Sequence, residues 1–199
     1  METQTANHPL KAQGDRRIAA GQIWRWPLAV LIGTPIGGYV ADLVVDGVDS
    51  LGAAIVAGLI VGAIIGAAEW FAVRPWVSWL WIPTTTAGMA IGLAIGAALV
   101  DYGIGRGDLA LMGAVTGLGV GAMQAAVLAR HQVRGALWWA IANPLGWALG
   151  WFVSSYVIAR NIAERFPIFG ASGALVFGLL TWLLLAILLR STSAEGDRA

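Results

Sequence analysis

The chain has 199 residues, of which 58% are hydrophobic and 12% are charged, and its formal net charge is +1. About a quarter of the residues in an ordinary soluble domain are charged, so this composition excludes that class and favours a membrane protein. The chain contains no cysteine, which excludes disulfides, zinc–thiolate sites and thiol catalysis. Its basic residues are scattered, so the sequence offers no patch for nucleic acid.

The first 23 residues are polar and contain no long apolar stretch. We interpret residues 1–23 as a cytoplasmic tail with a short interfacial helix near residues 15–20. A secretory signal is not expected, because the first apolar run is too long and lacks a small-x-small cleavage site before polar sequence. A second cytoplasmic tail is predicted at residues 191–199.

Six apolar runs lie between the two tails, and each is close to the roughly 20 residues that a helix needs to cross the hydrocarbon core. The runs cover residues 26–45, 51–73, 79–100, 109–129, 137–159 and 170–189. The connections between them are short, so consecutive helices are expected to be antiparallel neighbours. The sequence therefore predicts an all-α membrane protein with six transmembrane helices over residues 24–190.

The arginine and lysine residues are distributed unequally between the two sides of this predicted bundle. One side carries Lys11, Arg16, Arg17, Arg25, Arg74, Arg130, Arg134, Arg190 and Arg198, whereas the other carries Arg106, Arg160 and Arg165. The positive-inside rule then places both termini in the cytoplasm. The strong preference for arginine over lysine is typical of GC-rich bacterial genomes, so we expect the bacterial cytoplasmic (inner) membrane.

Tryptophan, glycine and one polar residue recur in a constant order. Trp26, Trp81 and Trp139 are each followed seven residues later by a glycine, at Gly33, Gly88 and Gly146. In the returning helices the recurring groups are Gly66-x2-Glu69, Gly121-x2-Gln124 and Gly178-x2-Thr181. This self-similarity predicts three tandem helical hairpins, at about 24–75, 79–131 and 137–190, related by a pseudo-three-fold axis along the membrane normal.

The recurring pattern resembles that of glycine-rich bacterial multi-pass membrane proteins, mostly uncharacterised, that carry repeats of the form G-x3-G-x2-Q-W-x3-R. Gly62-x3-Gly66-x2-Glu69-Trp70-x3-Arg74 fits that form with glutamate in place of glutamine. The second copy, Gly117-x3-Gly121-x2-Gln124, keeps the glutamine but has Ala125 at the tryptophan position, and Arg130 comes one residue late. The resemblance implies a fold family and no particular activity.

Three of the helices carry glycine at every fourth position, which places the glycines on one face. The stripes are Gly58, Gly62 and Gly66; Gly88, Gly92 and Gly96; and Gly113, Gly117 and Gly121. Helices in a bilayer associate through close packing and polar contacts, so these faces favour tight packing within the chain. The alternative is a surface groove that receives a helix of another subunit.

The three recurring polar residues are expected to form a layer near the cytoplasmic end. Glu69, Gln124 and Thr181 lie on packing faces, and Trp26, Trp81 and Trp139 lie within about 20° of their glycine faces. One interpretation is structural, with each polar residue accepting a hydrogen bond from an indole N–H, or with Glu69 pairing with an arginine. The other is an ion or proton site, because carboxylates in membranes are costly and often functional.

Other features leave further alternatives open. An aromatic belt at the membrane interface explains Trp24, Trp70, Trp76, Trp79 and Trp138. Trp147 and Trp151 lie deeper, which would also suit a pigment, quinone or lipid pocket. Thr34-Pro35 and Asn143-Pro144 are predicted to interrupt helices one and five. Each is either a proline kink filled by neighbouring groups or a substrate site like those in the broken helices of some transporters.

The sequence does not indicate an enzyme. The two histidines, His8 and His131, lie outside the predicted core, so neither a metal cluster nor a Ser–His pair is expected in the membrane. We therefore expect no catalytic residue, no metal and no cofactor.

The first functional hypothesis is a non-catalytic structural or accessory subunit, with the lipid bilayer, other membrane subunits or further copies as partners. The second is a small permease or channel for an ion or small solute along the bundle axis, past Glu69, Gln124 and Thr181. The third is an enzyme or a pigment or lipid binder.

Overall fold

The computed structural model describes residues 22–161 and 170–196, with the side chains of residues 22–156 and 170–189. In those ranges the fold consists of six α-helices, without any strand. They are α1 (Arg25–Val45), α2 (Leu51–Val73), α3 (Trp81–Leu99), α4 (Arg106–Arg130), α5 (Ala136–Asn161) and α6 (Ala171–Gly196). The interfacial helix predicted near residues 15–20 lies outside the described residues.

Three helices extend two or more residues beyond one end of the apolar runs that predicted them. Helix α4 begins at Arg106, α5 reaches Asn161, and α6 continues to Gly196 inside the segment that was predicted to be a tail. Apolar length reports the thickness of the hydrocarbon core, whereas a helix can continue into polar flanking sequence. The boundary predicted at residue 190 marks the end of the membrane-spanning part, and helix α6 continues past it.

Five of the described helices (α1 to α4, and α6 over residues 171–189) are long and apolar enough to cross a membrane. The prediction of an all-helical, multi-pass membrane architecture is confirmed at this level. Helix α5 has sufficient length, but it carries Asn143, Pro144, Ser154 and Ser155 and is not among these five.

The six helices form a closed ring. Each helix packs against its neighbours in the chain, and α1 packs against α6 to complete the circle. Within the described residues, the backbones of no other helix pair approach as closely. Since consecutive helices alternate in direction, the starts of α1, α3 and α5 meet the ends of α2 and α4 at one end of the ring. We call this the tryptophan end, because Trp26, Trp81 and Trp139 lie there.

The ring is apolar outside and carries its polar side chains inside. Isoleucine and leucine side chains cover the outer faces, among them Ile32, Ile36, Ile91, Ile95, Leu118, Leu145 and Leu183. The buried polar residues are Glu69, Thr85, Thr116, Gln124, Asn143, Ser154, Ser155 and Thr181. Soluble proteins rarely expose so much apolar surface, whereas lipid tails solvate it without cost.

Glycines allow each helix to approach the next one along the chain. A methyl group at Gly62 of α2 would lie 2.7 Å from the Thr86 Cα atom of α3, and one at Gly92 of α3 would lie 2.7 Å from the Thr116 Cα atom of α4. A methyl group at Gly117 of α4 would lie 2.7 Å from the carbonyl oxygen of Asn143 in α5. The other six glycines of the three stripes, Gly58, Gly66, Gly88, Gly96, Gly113 and Gly121, face the following helix in the same way. Because the chain's own helices occupy these faces, the stripes do not form an open groove for another subunit.

At the opposite end of the ring, an aspartate with a left-handed backbone lies in the turn that follows each of two helices. Asp46 ends α1 with a φ of 53°, and its N–H donates to the carbonyl of Asp42. Asp101 follows α3 with a φ of 48°. Aspartate is among the few non-glycine residues that adopt this conformation readily, so both turns can be tight.

Both prolines that were predicted to interrupt a helix lie inside continuous helices. Pro35 is within α1 and Pro144 is within α5. Each proline removes one backbone donor, but membrane helices tolerate this when neighbouring groups satisfy the freed carbonyl. The broken-helix alternative is therefore wrong at Thr34-Pro35 and Asn143-Pro144, whereas the alternative of a proline packed by neighbouring groups is compatible with the continuous helices.

Candidate functional site

Three tryptophan side chains pack against one another on the axis of the helix ring. The centroids of Trp26 and Trp139 are 5.4 Å apart, those of Trp26 and Trp81 are 6.1 Å apart, and those of Trp81 and Trp139 are 6.2 Å apart. All three side chains are completely buried. Edge-to-face and tilted contacts at these distances are favourable for aromatic rings. The three indoles close the axis of the helix ring at this level, and we call them the tryptophan triangle.

Each ring of the tryptophan triangle donates its indole N–H to a polar residue on an adjacent helix. Trp81 Nε1 donates to Glu69 Oε2 at 3.0 Å, and Trp139 Nε1 donates to Gln124 Oε1 at 2.9 Å. Trp26 Nε1 donates to Thr181 Oγ1 at 2.9 Å. The structure thus brings all six residues of the expected polar layer into contact, with α1, α3 and α5 supplying the donors.

Each acceptor bonds to the tryptophan of the helix that follows it around the ring, and not to the tryptophan of the helix that precedes it in the chain. The acceptors on α2 and α4 serve the tryptophan that begins the next helix, 12 and 15 residues later. The third acceptor, on α6, serves Trp26 of α1, which is 155 residues away. This third bond lies at the junction that closes the ring.

Gln124 makes the largest number of side-chain bonds in the layer. Its Nε2 group donates to Glu69 Oε2 at 2.7 Å and to Thr85 Oγ1 at 2.8 Å, while its Oε1 atom accepts from Trp139. The amide of glutamine has donors and an acceptor, so it can link an indole to a carboxyl group. The result is a continuous hydrogen-bonded path from Trp81 to Trp139.

Glu69 is the one acidic residue among the buried polar residues that the structure describes. Both groups that donate to its Oε2 atom, the indole of Trp81 and the amide of Gln124, are neutral. The nearby Arg74 side chain lies instead over the exposed ring of Phe71, 4.6 Å from its centroid. The arginine pairing considered for Glu69 is therefore wrong with respect to Arg74.

Thr181 satisfies both hydrogen-bonding functions of its hydroxyl group. The oxygen accepts from Trp26, and the hydroxyl donates to the carbonyl of Phe177 one turn earlier at 2.7 Å. A threonine can therefore replace a longer amide or carboxyl side chain where α6 approaches α1. That approach is close, since a methyl group at Gly178 would lie 3.4 Å from the Cβ atom of Val30.

Glycine positions explain why these short bonds are reached. A methyl group at Gly66, one turn before Glu69, would lie 3.0 Å from the Cβ atom of Thr85. One at Gly121, one turn before Gln124, would lie 2.6 Å from the Cβ atom of Asn143. Side chains at these positions would push the helices apart and lengthen the bonds of the layer.

The tryptophans outside the layer differ in depth and in exposure. Trp24, Trp79 and Trp138 are exposed around the tryptophan end, whereas Trp70 and Trp76 are partly buried against the core. Deeper in the ring, Trp147 packs on Phe177 with a centroid distance of 5.0 Å and on Trp151 at 6.4 Å.

Two residues of the polar network were missed in the sequence. Thr85 accepts from Gln124, and the Nδ2 group of Asn143 donates to the carbonyl of Trp139 at 2.9 Å. Thr85 follows Trp81 by four residues, and Asn143 follows Trp139 by four residues. Residues four apart lie on the same helix face, so helical spacing could have identified both.

The described residues contain no group of three or more histidine, cysteine, aspartate or glutamate side chains that could hold a metal ion. The arrangement consists of matched donors and acceptors around a packed aromatic centre. Its evident chemical capacity is to hold six helices in one register.

Comparisons with protein families, curated proteins and solved structures gave no match for this chain.

Proposed function

We propose that this protein is a non-catalytic structural or accessory component of a membrane, held together by glycine-mediated helix packing. The observation that carries this proposal is the tryptophan triangle, in which three buried rings fill the axis. All three indole donors are satisfied by the chain's own acceptors. A conduction path would need to break these contacts.

The hydrogen bonds make such opening costly. A buried hydrogen bond contributes about 1 kcal/mol net, whereas a buried donor left without an acceptor costs about 1–3 kcal/mol. Separating the three rings would also remove aromatic contacts of about 0.5–1.5 kcal/mol per pair. The closed layer therefore supports a rigid scaffold more than a gate.

We also propose that the ring is built from three hairpin repeats with a pseudo-three-fold axis. In support, α1, α3 and α5 each supply one tryptophan, and α2, α4 and α6 each supply the acceptor for one of these tryptophans. The resemblance to glycine-rich bacterial membrane proteins with G-x3-G-x2-[QE]-W-x3-R repeats belongs to the same proposal.

The proposed location is a bacterial inner membrane with both termini in the cytoplasm. In support, Arg74, Arg130 and Arg134 lie at the tryptophan end, where α1 begins. A cysteine placed at Gln132 should then resist a membrane-impermeant maleimide added to intact cells. Labelling there, with a cysteine at Ile104 protected, would reverse the orientation.

A second candidate function, a small permease or channel, is favoured by one observation. Glu69 places a carboxyl group in the apolar interior. The bonds from Trp81 and Gln124 are both made to its Oε2 atom, so neither of them uses Oε1. A proton or cation path would use this group, and the tryptophan triangle would have to open beside it.

Two measurements on the purified full-length protein test these functions. In liposomes containing a pH- or ion-sensitive dye, we expect no flux above that of protein-free liposomes, with an added ionophore as the positive control. In parallel, mass spectrometry after purification in mild detergent should detect a membrane protein that travels with the chain. If the wild-type protein shows flux and Glu69→Gln abolishes it, the structural proposal is overturned and the permease is supported.

A further inference from the structure

Four arginines surround the tryptophan end of the ring. Arg25 lies at the start of α1, Arg74 directly after α2, Arg130 at the end of α4, and Arg134 in the segment before α5. Arg74, Arg130 and Arg134 are exposed, and Arg25 is partly exposed. We call these four residues the basic rim.

The aspartates whose side chains the structure describes all lie at the other end of the ring. They are Asp42, Asp46, Asp49, Asp101 and Asp108. Glu69 lies on the side of the basic rim but is buried in the polar layer. Helices of this length separate the two ends by about 30 Å, which is several Debye lengths at physiological salt. The aspartates therefore do not cancel the positive field of the basic rim.

A hydrogen bond between two loops joins part of the basic rim into one surface. The N–H of Ser78, in the segment after α2, donates to Nε2 of His131, in the segment after α4, at 3.0 Å. Arg74 precedes Ser78 by four residues, and Arg130 directly precedes His131. The segments that follow α2 and α4 are thus held together, although these two helices are separated by α3 in the ring.

Arg74 lies beside the outer surface of the ring. Its guanidinium is 4.6 Å from the centroid of Phe71, and Phe71 is 56% exposed on α2. A guanidinium that stacks on an aromatic ring keeps its N–H donors in its own plane, so a phosphate group can accept two of them. The indoles of Trp24, Trp79 and Trp138 are exposed at the same end, a position typical of the lipid headgroup region.

We propose that the basic rim binds the phosphate groups of anionic phospholipids. Arginine pairs with phosphate through two parallel hydrogen bonds, and clustered basic residues at the membrane surface attract lipids with a net negative charge. A zwitterionic lipid carries the same phosphate, but its ammonium group is repelled by the arginines. A soluble phosphate lacks the acyl chains that pack on the apolar surface beside Phe71. An anionic lipid matches both the charge and the apolar surface.

Thermal unfolding of the full-length protein in a neutral detergent tests this proposal, with phosphatidylglycerol as the anionic probe. We expect phosphatidylglycerol to raise the unfolding midpoint more than phosphatidylcholine does at the same mole fraction. In the double variant Arg74→Gln/Arg130→Gln, the amount of phosphatidylglycerol needed for half of the rise should increase about 25-fold, since each arginine near an anionic surface contributes about fivefold in affinity. High salt should weaken the wild-type response, because it screens exposed charges.

Arg106→Gln is the matched control. Arg106 also stacks on an exposed ring, 4.3 Å from the centroid of Tyr156, but it lies at the end of the ring that carries the aspartates. This variant should keep the wild-type response. The proposal is overturned if both lipids raise the midpoint equally, if the double variant responds like the wild type, or if Arg106→Gln weakens the response as much as the double variant does. It is also overturned if free glycerol phosphate reproduces the rise, because the basic rim would then bind phosphate without a lipid.

Discussion

At the scale of single residues, Gln124 and Thr181 hold equivalent tryptophans by different means. Gln124 bonds to Trp139, Glu69 and Thr85, so it links three helices besides its own. Thr181 accepts only from Trp26 and returns its proton to its own helix. The two positions should therefore differ in how much of the layer depends on them.

Gln124→Leu should lower the midpoint of thermal unfolding in detergent more than Thr181→Val does. The first change leaves the Trp139 N–H without an acceptor and removes a donor from both Glu69 and Thr85. The second leaves one N–H, that of Trp26, unpaired. With about 1–3 kcal/mol for each unpaired buried donor, we expect Thr181→Val to lower the midpoint by roughly 2–10 °C.

Thr84→Val is the control for this comparison. The Thr84 hydroxyl donates only to carbonyls of its own helix, those of Leu80 and Trp81. Its removal should change the midpoint less than Thr181→Val. Equal shifts for the two threonine variants would show that the bond to Trp26 does not stabilise the ring.

At the scale of helices, the unit of packing is a glycine face against the backbone of the next helix. Most soluble bundles separate helix axes with interlocking aliphatic side chains, whereas here the missing Cβ atoms let the backbones approach. The glycine stripes of α2, α3 and α4 face α3, α4 and α5 in turn, and Gly119 of α4 also packs back against α3.

Gly92→Ala and Gly38→Ala should shift stability in opposite directions. A methyl group at Gly92 would lie 2.7 Å from Thr116 Cα and 2.9 Å from the Thr116 carbonyl oxygen, so α3 and α4 must separate. At Gly38, nothing lies within 4 Å of the new methyl group. Alanine there should stabilise α1 by up to about 1 kcal/mol, because glycine is the poorer helix former.

Thermal unfolding in the same detergent measures both variants. We expect a lower midpoint for Gly92→Ala and a higher one for Gly38→Ala. A Gly92→Ala protein as stable as the wild type would mean that α3 and α4 are not in close backbone contact.

At the scale of the whole molecule, closure of the ring rests on the contact between the first and last helices. The chain has no cysteine, so an introduced pair reports on that contact without interference. Gly178 faces Val30 at 3.4 Å between Cβ positions, close to the 3.5–4.5 Å separation in a disulfide.

A protein carrying Val30→Cys and Gly178→Cys should form a disulfide within one chain under mild oxidation, detected as a linked peptide by mass spectrometry. The pair Leu118→Cys and Gly178→Cys should not do so, because α4 and α6 are not in contact. Links only between two chains would place α6 of one copy against α1 of another and contradict the closed ring.

The sequence was sufficient to predict the helices and six residues of the polar layer, although not Thr85 and Asn143, for a physical reason. Apolar length fixes where helices cross the membrane, and the recurrence of Trp26, Trp81 and Trp139 marks one depth in the bundle. The sequence could not reveal that the acceptors serve the tryptophan of the following helix, because that pairing depends on the order of helices around the ring. It also could not reveal that α5 continues through Pro144, since neighbouring helices decide whether a freed carbonyl is tolerated.

The pairing of each acceptor with the tryptophan of the following helix has a consequence for biosynthesis. As helices leave the ribosome in order, Glu69 meets its donor once α3 is made, and Gln124 meets its donor once α5 is made. Trp26 belongs to the first helix, yet its acceptor arrives only with the last, 155 residues later. A nascent or truncated chain therefore lacks the Thr181 acceptor of Trp26 until α6 is made, so this bond forms only together with the packing of α6 on α1 that closes the ring.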